Sequence, residues 1–336
     1  MDAIKVYTTR IPGFLLARAL RRFGICSGRV KISSAPFSEK SAAEPVAILI
    51  QPGGIQALEQ LGVSPNVLYK KGARIVRGVI FDKRAKTLLS FDTRQFPAMP
   101  AGCSIELEEL RTVCAPESFE FSMQAGVAEK HMWSFTPCPG IFLRVVRGEL
   151  YDPARQIIWD LPGAHIGVAP LARRKILLWS IPKQSVMKDF EESVARTQLD
   201  FTLQKRNFIF LAIGDLLYER WFPLANVGYR PSWDGEHLHW GASSLRLHPL
   251  TGQFVSYWAL QAQWLAREIA TKGSLTAELA RELDRRNQRM FWSHKRALNY
   301  YLKPNVFWKS VFRPYAFAMR HFPFLKRRVI KKLALL

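Results

Sequence analysis

The spacing of apolar and polar positions changes period several times along the chain. The segment IKVYTTRIPGFLLARALRRFGI, from Ile4, begins as a short β-rich run and continues with Leu15, Leu16, Ala19 and Leu20 recurring three and four apart, which predicts a helix with one buried face. A second strand is expected over residues 29–32. Residues 47–63 read as a short apolar run, a loop proline and a brief Leu-rich helix stopped by Leu61 and Gly62. Between 140 and 182, β-branched and aromatic runs are broken by Pro and Gly turns, the pattern of an antiparallel sheet. Beyond Gly241 a loop leads into a long amphipathic stretch ending near Ile269, and charged helical sequence follows. Alternating strand and helix, then a β-rich middle, then helices predict an α/β unit interrupted by an inserted sheet, with boundaries near 140 and 220.

The segment GASSLRLHPLTGQ, residues 241–253, carries the most chemical information. A strand end, a loop and a helix whose first turn faces that loop make a site for an anionic or electron-rich group, because the first turn leaves N–H donors unpaired at the positive end of the helix dipole.

These residues also carry a family resemblance. Gly241, Arg246, His248, Pro249, Leu250, Thr251, Gly252 and Gln253 stand in the order and spacing of the second flavin motif, GDAAHxxHPxxGQG, of the aromatic-ring and ubiquinone-biosynthesis hydroxylases. The chain resembles FAD-dependent monooxygenases of the para-hydroxybenzoate hydroxylase type over most of its length. The resemblance implies a discontinuous Rossmann-like, FAD-binding-type domain (1–139 and 221–283), an inserted β-sheet substrate domain (140–220) and C-terminal helices (284–336). It implies FAD contacts at Arg10, Gly13, Ser33, Pro249, Gly252 and Gln253, a substrate pocket with Trp179, Phe222, Pro223 and His248, and NAD(P)H as electron donor where FAD is held.

Departures from the motifs are as specific as the matches. The family's acidic residue falls on Ala242 and its last glycine on Phe254. At the first strand–helix turn the glycine positions of a dinucleotide fingerprint fall on Thr8, Arg10 and Gly13, so only the helix-packing glycine is kept. The second strand ends in Ser33 where a carboxylate is expected, Val46 stands in place of an arginine, and residues 127–143 lack the family's Ala-Asp-Gly motif. The sequence therefore predicts the family's frame around an eroded FAD site. Two functional classes follow: a flavin-dependent monooxygenase with atypical contacts, or a cofactor-free relative that binds a hydrophobic metabolite or serves as an accessory subunit of a membrane-associated complex. A third, cofactor-free acid–base chemistry, has only His248 and Asp215 as candidates.

Charge adds a partner. The formal net charge is +22, and residues 285–336 contribute 14 Lys or Arg and no Asp or Glu. Cations interleaved with Phe307, Trp308, Phe312, Tyr315 and Phe317 have the composition of an interfacial anchor for an anionic membrane surface, and equally of helices packed by their apolar faces. No nucleic-acid-binding module accompanies the charge. With a strand-like N-terminus and no run of transmembrane length, the expected location is cytoplasmic, at the inner face of a membrane. Expected partners are an aromatic or lipid-like small molecule and a protein complex. Cys26, Cys103, Cys114 and Cys138 are scattered, which predicts buried free thiols. His237 and His239 alternate beside Glu236 and are expected on the solvated side of a strand. His248 fits both a flavin loop and ordinary loop packing. No metal site is expected.

Overall fold

The computed structural model describes residues 4–8, 10–25, 30–34, 46–96, 98–115, 121–123, 134–136, 139–183, 188–222, 227–233, 238–248, 254–273 and 276–302. The chain runs β1 (Ile4–Thr8), α1 (Arg10–Arg22), β2 (Val30–Ser34), β3 (Ala47–Ile50), α2 (Pro52–Glu59), α3 (Pro65–Lys71), β4 (Ala73–Ile75), β5 (Arg77–Asp82), β6 (Thr87–Asp92), β7 (Gly102–Glu106), α4 (Leu107–Cys114), β8 (Phe121–Met123) and β9 (Ser134–Thr136). It continues with β10 (Ile141–Leu150), β11 (Arg155–Asp160), β12 (Ala164–Leu171), β13 (Lys175–Pro182), α5 (Glu191–Lys205), β14 (Phe210–Phe222), β15 (Val227–Tyr229), β16 (Leu238–His239), β17 (Leu245–Arg246), α6 (Phe254–Lys272) and α7 (Ala277–Leu302).

β1, α1 and β2 form a βαβ unit, with Val6 opposite Ile32 in a parallel ladder. β16 and β8 extend it to a four-stranded sheet in the order β16-β1-β2-β8, whose described pairings are all parallel. Such a sheet needs cover on its faces. The predicted stripe supplies part of it: Leu15, Leu16, Ala19 and Leu20 are fully buried, and α1 packs against α6 in one core with Ile55, Leu58, Leu265 and Leu283. On the other side of α1, the Arg18 guanidinium donates to the carbonyls of Val113, Cys114 and Ala115 at 2.7–3.1 Å. It thereby serves the unpaired C-terminal carbonyls of α4.

The second sheet has seven strands in the order β14-β10-β13-β12-β11-β5-β6. Its strands pair antiparallel except at β11–β5, where Ile158 lies beside Ile80 in parallel register. The expected sheet over 140–220 thus recruits two strands from before residue 140, a long-range pairing that no local pattern signals. One face, with Val146, Ile166, Leu178 and Trp159, packs on Ala195 and Leu199 of α5. The opposite face, with Ile141, Leu143, Leu177 and Trp179, shares a core with Phe222 and with Phe291 and Leu298 of α7. Two antiparallel three-stranded sheets, β17-β15-β9 and β3-β7-β4, complete the described strands. Cys103 and Cys114 are free and buried as expected, and burial pushes both thiols up to about 12; Cys26 and Cys138 lie outside the described residues.

Candidate functional site

The site is built around the segment after β16. Leu238 and His239 pair with Val6 and Tyr7, so the end of β16 lies beside the β1–α1 turn. The chain then reverses at Gly241, which is buried with φ +64, a conformation open to glycine and costly for a residue with a β-carbon. A glycine at this motif position therefore has a backbone reason. β17 follows, pairing Arg246 with Gly228.

His248 is fully buried. Its backbone N–H donates to Nε2 of His294 on α7 at 2.7 Å, and its own Nε2 lies 3.3 Å from the Pro139 carbonyl. Accepting that bond fixes the His294 proton on Nδ1. Desolvation pulls His248 down to about 4; desolvation and then the neighbouring His248 pull His294 down to about 3. Both rings are neutral near pH 7. They hold the loop by hydrogen bonding and offer no charge to a ligand.

Pro139 leads to Gly140, where a β-carbon would stand 2.2 Å from the Trp221 ring and 2.7 Å from the Phe222 carbonyl. That close approach brings His248 and Phe222, both predicted pocket residues, to one corner of the sheet. Trp179 belongs to the same core as Phe222, and its indole covers Gly167 so closely that a β-carbon there would lie 1.9 Å from a ring carbon. Gly13 is buried in the first turns of α1. Arg10 opens α1 and Ser33 lies in β2, but their side chains fall outside the described set, as do Pro223, Pro249, Gly252 and Gln253 entirely.

Phe254 is the first residue of α6 and is 9% exposed. Its ring meets Trp258 edge to face, with centroids 5.0 Å apart, and it belongs to the core that holds Ile55 and Leu58 of α2. At Gly54 of α2 a β-carbon would lie 2.8 Å from Ser256 Oγ, so α2 and the first turn of α6 are in direct contact. Ser256 Oγ and Trp240 Nε1 are both covered by protein and have no hydrogen-bond partner among the described residues.

No family model and no curated protein sequence matches the chain. Solved structures match it along nearly its full length. Klebsiella pneumoniae HpxO, solved with FAD and uric acid, superposes with a TM-score of 0.67 at 14% identity, covering 98% of this chain and 96% of that one. Pseudomonas putida p-nitrophenol 4-monooxygenase PnpA gives 0.69 at 12% identity over 100% and 99%. Pseudomonas aeruginosa PqsL, in complex with 2-aminobenzoylacetate, gives 0.62 at 16% over 89% and 94%. The chain has the fold of the FAD-dependent aromatic monooxygenases. At these identities the likeness is one of fold, and function in a fold resides in its site residues.

Several buried polar residues beside the segment after β16 were not singled out by the sequence. Asn287 of α7 is fully buried: its Oδ1 accepts from Tyr257 and Gln261 at 3.0 and 2.9 Å, and its Nδ2 donates to Ser232 and Ser244 at 3.2 Å. This network ties both C-terminal helices to the Gly241 turn. Asp284 adds a bond from the Ser232 N–H at 2.7 Å. Their only sequence signal is a polar residue on the apolar face of a charged helix. His239 corrects an expectation. It is buried, with Nδ1 2.9 Å from Nη2 of Arg230, because β16 is covered on both sides; His237 lies outside the described residues. No group of His, Cys, Asp and Glu able to hold a metal occurs among the described residues.

Proposed function

We propose that the chain is a flavoprotein-monooxygenase-like protein acting in the metabolism of an aromatic, quinone or lipid-like compound, with a degenerate FAD site. In this reading it holds a hydrophobic small molecule, or supports a complex that handles one, and the ordinary FAD pose is lost. The observation that carries it is Phe254: where the family frame has glycine, a phenyl ring is packed into the core at the helix N-terminus. Ala242 and Ser33 remove the two carboxylates the frame would use, and a neutral contact is a weaker partner for ribityl and ribose hydroxyls than a charged one. These residues do not fit FAD in that pose, and no reaction step is assigned to it.

The 14 cations of residues 285–336 support an anionic surface as a further partner and a location at the cytoplasmic face of a membrane. No helix among the described residues is long and apolar enough to cross one.

The test is the absorbance spectrum of protein purified without added cofactor, then titration with FAD while tryptophan and flavin fluorescence are followed. A colourless protein that FAD does not saturate at micromolar concentration is the expected result. Flavin bands at about one per chain would overturn it in favour of a monooxygenase with atypical contacts. That second reading rests on the near-complete overlay with an FAD-bound chain, and NAD(P)H oxidation with phenolic substrates would then be the next assay.

A further inference from the structure

Twelve large apolar side chains are exposed among the described residues, and six of them, Phe201, Phe208, Leu211, Ile213, Leu216 and Leu217, fall between residues 201 and 217. Scattered exposed apolar residues need no explanation, but a concentration of this kind marks an interaction surface. The six lie at the end of α5, on the turn after it and along the first half of β14, one of the two edge strands of the seven-stranded sheet. The turn is fixed by the Tyr151 N–H, which donates to the Ile209 carbonyl at 3.1 Å, and Tyr151 is itself 67% exposed.

β14 pairs with β10 through register shifts at three places, between Val145 and Val146, Val146 and Gly148, and Glu149 and Leu150. Each shift breaks the alternation of side chains, so consecutive apolar residues such as Leu216 and Leu217 cannot all turn into the core. The surface has a cationic border. Lys205 Nζ stands 4.4 Å above the Phe201 ring and Arg206 follows it. Arg147 and Arg174 flank the Gly148–Ile213 pair, where the Gly148 N–H donates to the Arg174 carbonyl at 2.8 Å. Glu149 pairs with Arg174 at 2.6 Å, and Asp215 approaches Arg147 at 3.9 Å.

Two occupants suit an apolar edge: a second copy of the chain, or a lipid surface. Pairing of two β14 edges needs an unbroken row of backbone groups, which the three shifts remove, and it would bring together two chains of net charge +22. An anionic bilayer needs neither condition. It takes leucine, isoleucine and phenylalanine at the acyl boundary and cations at the headgroups. We propose that the α5–β14 apex, residues 201–217, docks this protein on an anionic membrane. The proposal does not depend on whether flavin binds.

The experiment is flotation of the full chain with phosphatidylcholine vesicles that do or do not contain phosphatidylserine, at low and high salt. Three proteins are compared: wild type, Phe208→Ser/Leu211→Ser/Leu216→Ser, and Leu260→Ser, which removes an apolar side chain 45% exposed on α6. Wild type and Leu260→Ser should float with the anionic vesicles and weaken with salt. The triple variant should lose at least about tenfold in partition coefficient, the factor that about 1.4 kcal/mol represents, which three leucine-sized side chains together exceed. Should the triple variant fail a circular dichroism check of folding, Leu216→Ser alone should show a smaller loss in the same direction. Wild-type affinity in the folded triple variant, or in Leu216→Ser, would assign binding to residues 285–336 and overturn the proposal. So would a wild type that ignores the vesicles, or a wild-type dimer that the apex substitutions convert to monomer.

Discussion

Acidification to pH 5 should destabilise this protein through two buried imidazoles. His248 and His294 sit at about 4 and about 3 in the folded chain, against 6.5 for an exposed histidine. The folded state therefore binds fewer protons than the unfolded state below pH 6.5. The stability that this preference supplies is fully present above about pH 6.5 and is lost as pH falls toward 4 and then 3. At pH 5 each unfolded histidine is almost wholly protonated and each folded one almost wholly neutral. The loss is about 2 kcal/mol per ring relative to pH 7.5, or about 4 kcal/mol for the pair, at 1.36 kcal/mol per pKa unit. Asp92 and Glu109, whose pKa values Arg94 and Lys71 respectively lower, act in the same direction but only below the ordinary carboxylate range, so pH 5 separates the two effects. The assay is urea unfolding followed by tryptophan fluorescence at pH 7.5 and 5.0, on wild type and on His294→Gln. Glutamine keeps an acceptor for the His248 N–H and removes one titrating ring, so the pH-dependent loss should fall by about half. Equal stability of wild type at the two pH values, or an undiminished loss in His294→Gln, would show that these imidazoles do not carry the pH dependence.

Gly167→Ala forces a β-carbon to 1.9 Å from the Trp179 ring and should lower stability by about 1–3 kcal/mol, with a changed near-ultraviolet circular dichroism spectrum as the indole moves. Asn287→Ala leaves Tyr257, Gln261, Ser232 and Ser244 without their shared partner. A loss of about 3 kcal/mol in chemical denaturation is expected, and a loss below about 0.5 kcal/mol would remove the network from the account. Lys183 is fully buried with Nζ 2.7 Å from Asp160, and His165 stands 3.2 Å from the same carboxylate oxygen. Lys183→Met should cost about 3 kcal/mol by removing the lysine partner of that buried carboxylate, and Asp160→Asn added to it should restore part of the loss in thermal melts.

The local frame was legible wherever a residue's role depends on its near neighbours. Leu15, Leu16, Ala19 and Leu20 share a helix face because 3.6 residues make a turn, and all four are buried. The long amphipathic stretch after Gln253 was visible for a similar reason, and α6 spans Phe254–Lys272. His294 was hidden in a charged helix, because nothing in its own surroundings points to a loop 46 residues away. β14 follows the β-rich stretch read at 140–182, and neither its extent nor its place at an edge was visible, since strand order is set by partners and not by the strand.

Periodicity, backbone allowance and side-chain chemistry along the chain were enough for the α/β class, the βαβ start, the Gly241 turn and the residue types available for a cofactor. Long-range packing was needed to join β5 to β11, to bury His239 against Arg230 and to place Phe254 in the core. It alone decided that the apolar residues of β14 face outward. Those outcomes depend on which surfaces meet across long stretches of chain, and burial is a property of the pair of surfaces, which no single segment carries.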